Sequence, residues 1–355
     1  MKKLLFLACL LLASVAHAGE AVAPADLNPA YLYIGPVGDG GWSYAIDQGR
    51  LATDRNFPGV KSFFAESVLD GPESAFVMER FINLNKSKLI IAASYGYGQY
   101  VLNVAAKYPD VKFIHPSGTE KADNVSTIFG RIYQARYLSG LVAGKMTGSN
   151  RIGFVAAHPI PEVIRGINAF TLGVRTVNPE AVVKVLWLYS WYDQPLEGKL
   201  TRQLIGEGHD VIAMHADTGG VARVCEEAKV YVVGYNNDMS RYAPTMQLTA
   251  PIWRWEPLFS HMYKMTLDGN WKSENLWWGL KEGAVDLAPM GAMVENDVRA
   301  LVEKYRQQMI DGGFDVFQGP VNDNQGNLKV AGGHTMSDDE MWNMDWFVQG
   351  VEPGL

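Results

Sequence analysis

The feature that most constrains the fold is an alternation of short β-prone apolar runs with longer amphipathic stretches, which starts twice along the chain. Runs rich in β-branched and aromatic residues predict strands, and stretches with apolar residues three or four apart predict helices. Strands that alternate with crossover helices form a parallel sheet with helices on both faces. The sequence therefore predicts an α/β protein with two doubly wound parallel-sheet lobes.

The boundaries of these elements follow from where each pattern begins and ends. Strands are predicted at 31–37, 60–65, 88–93, 111–115 and 125–129, and again at 151–157, 182–188, 210–215 and 230–235. Helices are predicted between them at 43–56, 73–85, 98–107, 133–147, 161–177, 196–207 and 218–228.

A further β-prone run at 246–252, followed by a predicted helix at 256–267, indicates that the chain returns to the first lobe. More than one crossing between lobes makes a hinge, and a hinge between two lobes allows them to close on a ligand. The predicted divisions are a signal peptide (1–18), a leader (19–30), a first lobe (31–148 with 253–280), a second lobe (149–252 with 281–330) and a C-terminal tail (331–355) packed on a lobe.

The N-terminus predicts secretion. Two lysines precede an apolar run at 4–15, and Ala-His-Ala at 16–18 matches a signal peptidase site. The run is shorter than the roughly twenty residues that span a bilayer. Cys9 lies in a sequence that resembles a lipoprotein cleavage box, but cleavage there would remove almost all of the apolar run. We therefore predict a soluble periplasmic protein whose single remaining cysteine, Cys225, forms no intrachain disulfide.

Charge and motifs argue against several classes of function. A formal net charge of −7 is unlike the basic surface of a nucleic-acid-binding protein. No nucleophile elbow, zinc-protease motif, phosphate-binding loop or paired-cysteine motif occurs in the sequence. Gly96 and Gly98 follow a predicted strand, but Val101 stands where a dinucleotide fingerprint needs its third glycine. We predict a binding protein with no catalytic residues, no cofactor and no metal site.

Ligands of open α/β sheets bind at the carboxyl ends of the strands. Here those ends repeatedly combine an aromatic residue with a short polar one, which is typical of a site that stacks a flat ring and reads its edge. The candidate ligand-binding residues at these ends are Asp39, Trp42, Ser43, Tyr97, Ser117, Trp191, His215, Asp217, Asn236, Asp238, Trp253 and Trp255. Three of them have an alternative interpretation: Asp39 could cap the helix that follows, Trp42 could be a core tryptophan, and His215 could be a hydrogen-bonded loop histidine.

Several longer stretches resemble one protein family in their order and spacing. They are GDGGWSYAIDQG (38–49), AAKYPDVKFI (105–114), RIGFVAAHPIPEVIRGINAFTLGVRTVNP (151–179), SWYDQPLEGK (190–199), GYNNDM (234–239) and NLWWGLKEGAVDLAP (275–289). The chain resembles the basic membrane protein (Bmp, PnrA-like) family of ABC-transporter solute-binding proteins. The resemblance implies a type I periplasmic-binding fold with a three-segment hinge, a monomer, an ABC permease in the inner membrane as partner, and a purine base or nucleoside as ligand.

The resemblance also assigns roles to individual positions. Asp39 matches the family's first-loop aspartate, Trp42 stands where nucleoside binders have a stacking Phe, and Ser43 stands where they have Asn. Asn236 and Asp238 fall in the segment that supplies an acidic contact, often to the ribose.

Three departures from the nucleoside binders affect the expected ligand. Ser117 and Asn236 each replace an Asp, and Trp253 replaces a Lys. Losing charged groups that would hold ribose favours a smaller flat ligand, such as adenine, hypoxanthine or a related oxopurine. A purine nucleoside, or a sensor-type role with another small aromatic ligand, remains the alternative.

Overall fold

A computed structural model describes residues 21–354 of the chain. The predicted signal peptide, 1–18, lies outside the described residues. Among the residues described, no helix is both long enough and apolar enough to cross a membrane.

The strands overlap the predicted ones as far as residue 253 and include five short ones beyond it that the predicted alternation lacks. They are β1 Ala30–Tyr33, β2 Phe63–Ala65, β3 Leu89–Ala93, β4 Lys112–Pro116, β5 Val125–Gly130, β6 Arg151–Ala156, β7 Val182–Trp187, β8 Val211–His215, β9 Tyr231–Val233, β10 Gln247–Thr249, β11 Pro251–Trp253, β12 Asn275–Trp278, β13 Val285–Leu287, β14 Val321–Asn322, β15 Leu328–Val330 and β16 Val351–Pro353. The helices are α1 Pro24–Leu27, α2 Trp42–Asn56, α3 Pro72–Leu84, α4 Gly98–Lys107, α5 Ile132–Met146, α6 Pro161–Val177, α7 Gln194–Gly206, α8 Gly220–Ala228, α9 Glu256–Leu267, α10 Asn296–Ile310 and α11 Asp338–Trp342.

Two six-stranded sheets form the two lobes. The first lobe has the strand order β12-β5-β4-β3-β1-β2, and the second has β10-β9-β8-β6-β7-β16. Every pairing within both sheets is parallel. Strands β3 and β5 are buried along their whole length, as expected of a sheet covered by helices on both faces. The predicted α/β fold with two doubly wound parallel-sheet lobes is confirmed.

The chain crosses between the lobes three times. It leaves the first sheet after β5, returns to it after β11, and leaves it again after β12. At the crossings, β11 pairs antiparallel with β13, and the backbone N–H of Arg131 donates to the carbonyl of Trp278 at 2.7 Å. These adjacent connections form a three-segment hinge. The β-prone run at 246–252 is thus two strands in different sheets.

Helix α5 packs on the second lobe although it directly follows the last consecutive strand of the first. Gly140 of α5 lies so close to the backbone of α6 that a Cβ on it would be 2.1 Å from the carbonyl oxygen of Phe170. Gly173 makes the reciprocal contact with Tyr137, and the Arg136 guanidinium donates to the Met214 carbonyl of β8 at 2.7 Å. The packing therefore puts the first crossing near residue 131, ahead of the predicted boundary at 148.

The C-terminal segment extends the second sheet. Strand β16 pairs parallel with β7, in register from Val351 opposite Val183 to Pro353 opposite Val185. Ahead of it, α11 contacts α6 and brings Trp342 to the space between the lobes.

Candidate ligand-binding site

A cavity lies between the lobes, at the carboxyl ends of the strands that flank the switch point of each sheet. Its empty volume, counted together with the solvent at its open mouth, is about 770 Å³. The lining residues are Ile34, Trp42, Ser94, Tyr95, Ser117, Thr119, Phe129, Ile160, Pro161, Glu162, Trp191, His215, Asp217, Tyr235, Asn236, Trp253 and Trp342.

One wall is a cluster of indoles. Trp42 is the first residue of α2, and its Nε1–H donates to the Ala93 carbonyl at the end of β3 at 2.9 Å. Its ring meets those of Trp253 and Trp255 edge-on, with centroids 5.5 and 5.2 Å away. Trp253 stacks on Trp255 at 5.2 Å. These contacts fix the orientation of Trp42 and Trp253, so both rings are preorganised to contact a ligand.

The second lobe contributes aromatic rings from the opposite side. Trp191 lies in the connection between β7 and α7, with its ring centroid 6.2 Å from that of His215. His215 in turn contacts Tyr235 at 4.3 Å. The Arg136 guanidinium lies 3.7 Å above the Tyr235 ring, which buries a cation directly behind this wall.

A chain of hydrogen bonds links three polar groups of the lining. The Asn236 side-chain amide donates to Asp217 Oδ1 at 2.8 Å, and Trp253 Nε1–H donates to Asn236 Oδ1 at 2.8 Å. Asn236 has a φ of 68°, a left-handed conformation that asparagine tolerates better than most residues. Burial raises the pKa of Asp217 well above its usual range, and the nearby negative charge of Asp39 raises it further. Asp217 therefore gains from a hydrogen-bonding ligand.

A second polar cluster lies at the start of α6. Glu162 Oε2 is 3.3 Å from His215 Nε2. Burial lowers the pKa of His215 well below its usual range, with the Arg136 charge acting in the same direction, so His215 is neutral. Among residues 21–354, Glu162 Oε1, His215 Nδ1 and two Arg136 nitrogens are buried without a hydrogen-bond partner. This cluster has more hydrogen-bonding capacity than the protein itself satisfies.

Seven of the twelve candidate residues from the sequence line this cavity: Trp42, Ser117, Trp191, His215, Asp217, Asn236 and Trp253. The other five do not: Asp39, Ser43, Tyr97, Asp238 and Trp255.

Two of these five support the strand-end loop instead. The Asp39 carboxylate accepts backbone N–H groups of Gly41, Ser43 and Tyr44 at 2.7, 3.2 and 3.1 Å. Asp39 thus takes the capping role, and it positions Trp42 at the start of α2. Ser43 Oγ accepts the N–H of Gly35 at 3.1 Å.

The remaining three are committed elsewhere in the protein. Tyr97 is fully buried in the core of the first lobe, where its hydroxyl donates to the Val68 carbonyl. Asp238 accepts from the Ser240 N–H and the Gln247 amide, at 2.9 and 2.8 Å. Trp255 lies behind Trp42 and Trp253, which line the cavity, and is not itself part of the lining.

Sequence reasoning missed ten lining residues. They are Ile34, Ser94, Tyr95, Thr119, Phe129, Ile160, Pro161, Glu162, Tyr235 and Trp342. A signal for Glu162 existed, since the Pro-Glu pair opens the helix after β6 at the switch point of the second sheet. Trp342 gave no such signal, because it reaches the cavity from α11, far along the chain.

The two lobes touch each other at the rim of the cavity. The Asn237 amide donates to the carbonyls of Gly41 and Gly40 at 2.7 and 3.2 Å, and Gly40 forms an antiparallel bridge with Thr218. A Cβ on Gly41 would lie 2.1 Å from the carbonyl oxygen of Asp217. The structure is therefore a closed arrangement of the lobes.

The sequence matches one protein-family model and is similar to several characterised proteins. Residues 28–314 match the model of the Bmp family, described as ABC transporter substrate-binding protein PnrA-like. A purine-binding protein of Brucella abortus (strain 2308) is 37% identical over 338 residues, covering 95% of this chain and 96% of that protein. A putative ABC transporter glucose-binding protein of Haloferax volcanii is 35% identical over 327 residues, covering 92% of this chain and 80% of that protein.

Solved structures share the fold at lower identity. A transcriptional activator of the comK gene from Bacillus halodurans superposes with a TM-score of 0.71 and 22% identity, covering 81% of this chain and 98% of that one. A solute-binding protein of an ABC transporter system from Conexibacter woesei gives a TM-score of 0.68 and 19% identity, with coverage of 81% and 97%. At this level of identity, these matches show the shared fold and nothing about the ligand.

Proposed function

The chain belongs to the Bmp, PnrA-like family of ABC transporter substrate-binding proteins, and from that premise we propose that it captures a free purine base between its lobes. The family inferred from the sequence is confirmed. Its members are solute-binding proteins rather than enzymes, they act outside the cytoplasmic membrane, and their partners are a small-molecule ligand and a permease.

The observation that carries the proposal is the composition of the cavity. Indoles from both lobes, Trp42 and Trp253 on one side and Trp191 on the other, line a space that also presents the carboxyl of Asp217. Flat heteroaromatic rings bind between aromatic faces and are identified by hydrogen bonds at their edges. The B. abortus relative is named a purine-binding protein, which supports a purine as the ring.

A base rather than a nucleoside is favoured by three residues of the lining. Ser117, Asn236 and Trp253 stand where the nucleoside binders carry charged residues, and all three line the cavity. Trp253 and Asn236 are hydrogen-bonded to each other, so Asn236 Oδ1 already has a donor and Trp253 Nε1 an acceptor. An indole in place of a lysine adds apolar surface, which suits a ring better than ribose hydroxyls.

Glucose is the second candidate, because the H. volcanii relative is named a putative glucose-binding protein. A sugar carries hydroxyl groups around its whole rim and needs polar partners on every side. The lining here is mostly aromatic and aliphatic, and its carboxyl, amide and imidazole groups all come from the second lobe. The first lobe adds only the hydroxyl groups of Ser94, Tyr95, Ser117 and Thr119, so the lining favours the purine.

The cellular setting follows from the same proposal. The protein acts in the periplasm after its signal peptide is cleaved, binds its ligand as a monomer, and presents the closed form to an inner-membrane permease. It needs no cofactor and binds no nucleic acid.

Isothermal titration calorimetry on the protein without residues 1–18 tests the ligand. We expect adenine or hypoxanthine to bind at least about tenfold more tightly than adenosine, inosine or glucose. Trp42→Ala should weaken the base by about five- to 150-fold, the range measured for base–aromatic stacking. Trp271→Ala is the control, since Trp271 lies outside the cavity and donates to the Asp123 carbonyl. It should leave the affinity unchanged.

The other outcomes are equally decisive. Tighter binding of nucleosides would replace the base with a nucleoside as the ligand. Binding of glucose without any purine would overturn the purine assignment. Equal losses in the two tryptophan variants would overturn the stacking role of Trp42.

A further inference from the structure

We propose, on the basis of the proposed function, that Glu162 is a specificity-determining residue that accepts one N–H from the six-membered ring of the purine. A purine that lacks an N–H on that ring is then selected against. Nothing in the sequence pattern or in the family resemblance assigned a role to this side chain.

The first support is an unpaired acceptor at the cavity. Glu162 lines the cavity, its side chain is only 14% exposed, and its Oε1 is buried without a partner among residues 21–354. A buried carboxyl oxygen that no protein group satisfies costs free energy, which a ligand donor recovers. A carboxyl group offers an accepting oxygen in either protonation state, so this role does not depend on its charge.

Neighbouring cations leave Oε1 free. Burial raises the pKa of Glu162, whereas the charges of Arg165 and Arg136 and the Tyr235 hydroxyl act in the opposite direction. Each arginine nevertheless donates to a backbone carbonyl. Arg136 donates to Met214, and Arg165 donates to Met341, each at 2.7 Å. The positive charges therefore offset part of the effect of burial without occupying the oxygen that would meet the ligand.

His215 orients the carboxyl from behind. Its side chain is 4% exposed, and its Nε2 lies 3.3 Å from Glu162 Oε2. Because Oε2 faces the histidine, one oxygen remains for the ligand. Glu162 thus accepts a single N–H rather than clamping two.

The sheet order indicates which edge of the purine Glu162 meets. Across the second lobe the strand order β9-β8-β6-β7 places Asn236, which follows β9, and Glu162, which follows β6, on opposite sides of the β8 residues His215 and Asp217. Asn236 falls in the segment that, by the family resemblance, often reaches the ribose in nucleoside binders, so we expect the imidazole ring of a purine to face that side. The six-membered ring then faces Glu162.

The chemistry of the ligand gives a sharp test. Adenine carries N–H groups on its 6-amino group, and 6-methylpurine has nearly the same shape without them. Hypoxanthine carries an N1–H, which 6-methoxypurine lacks. Both analogues keep the imidazole N–H and the flat ring, so they report the six-membered edge alone.

Titration of these two pairs into wild type, Glu162→Gln and Glu162→Leu measures the discrimination. In wild type we expect the affinity for the parent base to exceed the affinity for its analogue by about tenfold or more. In Glu162→Leu the ratio of these two affinities should fall below about threefold. Glu162→Gln keeps a carbonyl oxygen and should therefore retain part of the discrimination. Glu73→Gln is the matched control, because the exposed Glu73 opens α3 after a proline as Glu162 opens α6. Its ratio should equal that of wild type.

The failures can be told apart. If neither parent base binds, the proposed function has failed. If a parent binds and its analogue binds equally well to wild type, purine binding stands and the role of Glu162 is overturned. If Glu162→Leu weakens the binding of parent base and analogue by the same factor, Glu162 supports the cavity wall without accepting a hydrogen bond from the ligand. The inference is then also overturned.

Discussion

Gly41→Ala is expected to keep the two lobes from closing. A Cβ on Gly41 would lie 2.1, 2.5 and 2.6 Å from the O, C and Cα of Asp217, all of them backbone atoms of the other lobe. Ordinary contact of a Cβ with a neighbouring atom begins near 3.4 Å. No side-chain rotation relieves a backbone clash of this size, so the lobes must separate.

The size of the effect follows from the contacts that separation breaks. The Asn237 amide donates to the Gly41 and Gly40 carbonyls, and Gly40 bridges Thr218. At about 0.5–1.5 kcal/mol net for each hydrogen bond, losing two of them costs about 1–3 kcal/mol. Because ligand binding includes closure, the dissociation constant should rise by about five- to 150-fold.

The assay pairs calorimetry with small-angle scattering. Gly41→Ala should bind its ligand more weakly and show a smaller ligand-induced decrease in radius of gyration. Gly38→Ala is the control in the same loop, because a Cβ on Gly38 meets nothing within 4 Å. Wild-type affinity and full compaction in Gly41→Ala, or the same loss in Gly38→Ala, would refute the reasoning.

Three further predictions concern the protein away from the ligand. Burial raises the pKa of Glu197 from 4.5 to about 7, so between these pH values the folded state holds a proton that the unfolded chain releases. The free energy of unfolding therefore falls as pH rises through this window. Glu197→Gln should flatten the fall in melting temperature between about pH 4 and 8, and an unchanged slope would contradict the argument. Gly140→Ala places a Cβ 2.1 Å from the Phe170 carbonyl oxygen and should cost about 1–3 kcal/mol in chemical denaturation, whereas an unchanged midpoint would exclude the tight helix contact. Burial raises the pKa of the Cys225 thiol, so a disulfide reagent should label it only after unfolding, and rapid labelling of the native protein would contradict its burial.

The local pattern of the sequence was sufficient for the fold class and for the elements from β1 to α9, but not for the short strands β12–β16. Parallel strands buried on both faces leave continuous apolar runs, and β3 and β5 are of this kind. The pattern could not tell which lobe a helix packs on. For α5 that choice depends on Gly140 and Gly173, whose lack of side chains lets two helix backbones meet. The role of these glycines can be recognised only when the helix that they contact is known.

The site was predictable as a region and less so residue by residue. The strand-end rule located Trp42, His215 and Asp217, because successive strands bring their carboxyl ends to one edge. It could not tell which way a side chain points, and Tyr97 turns into the core beside the cavity. It also passed over Glu162, because this residue lies beyond the end of β6, in the first turn of α6.

Ligand recognition and lobe closure are carried by neighbouring residues of the second lobe. Asp217 presents its carboxyl to the cavity while its backbone carbonyl faces Gly41, and the next residue, Thr218, bridges Gly40. Asn236 lines the cavity, and Asn237 donates to the first-lobe carbonyls. A ligand that fixes Asp217 and Asn236 from within therefore also fixes the two segments that hold the other lobe. Since the coupling runs through adjacent backbone, a ligand that fails to pair with these side chains should also fail to stabilise closure, and selectivity and the signal to the permease would arise from the same contacts.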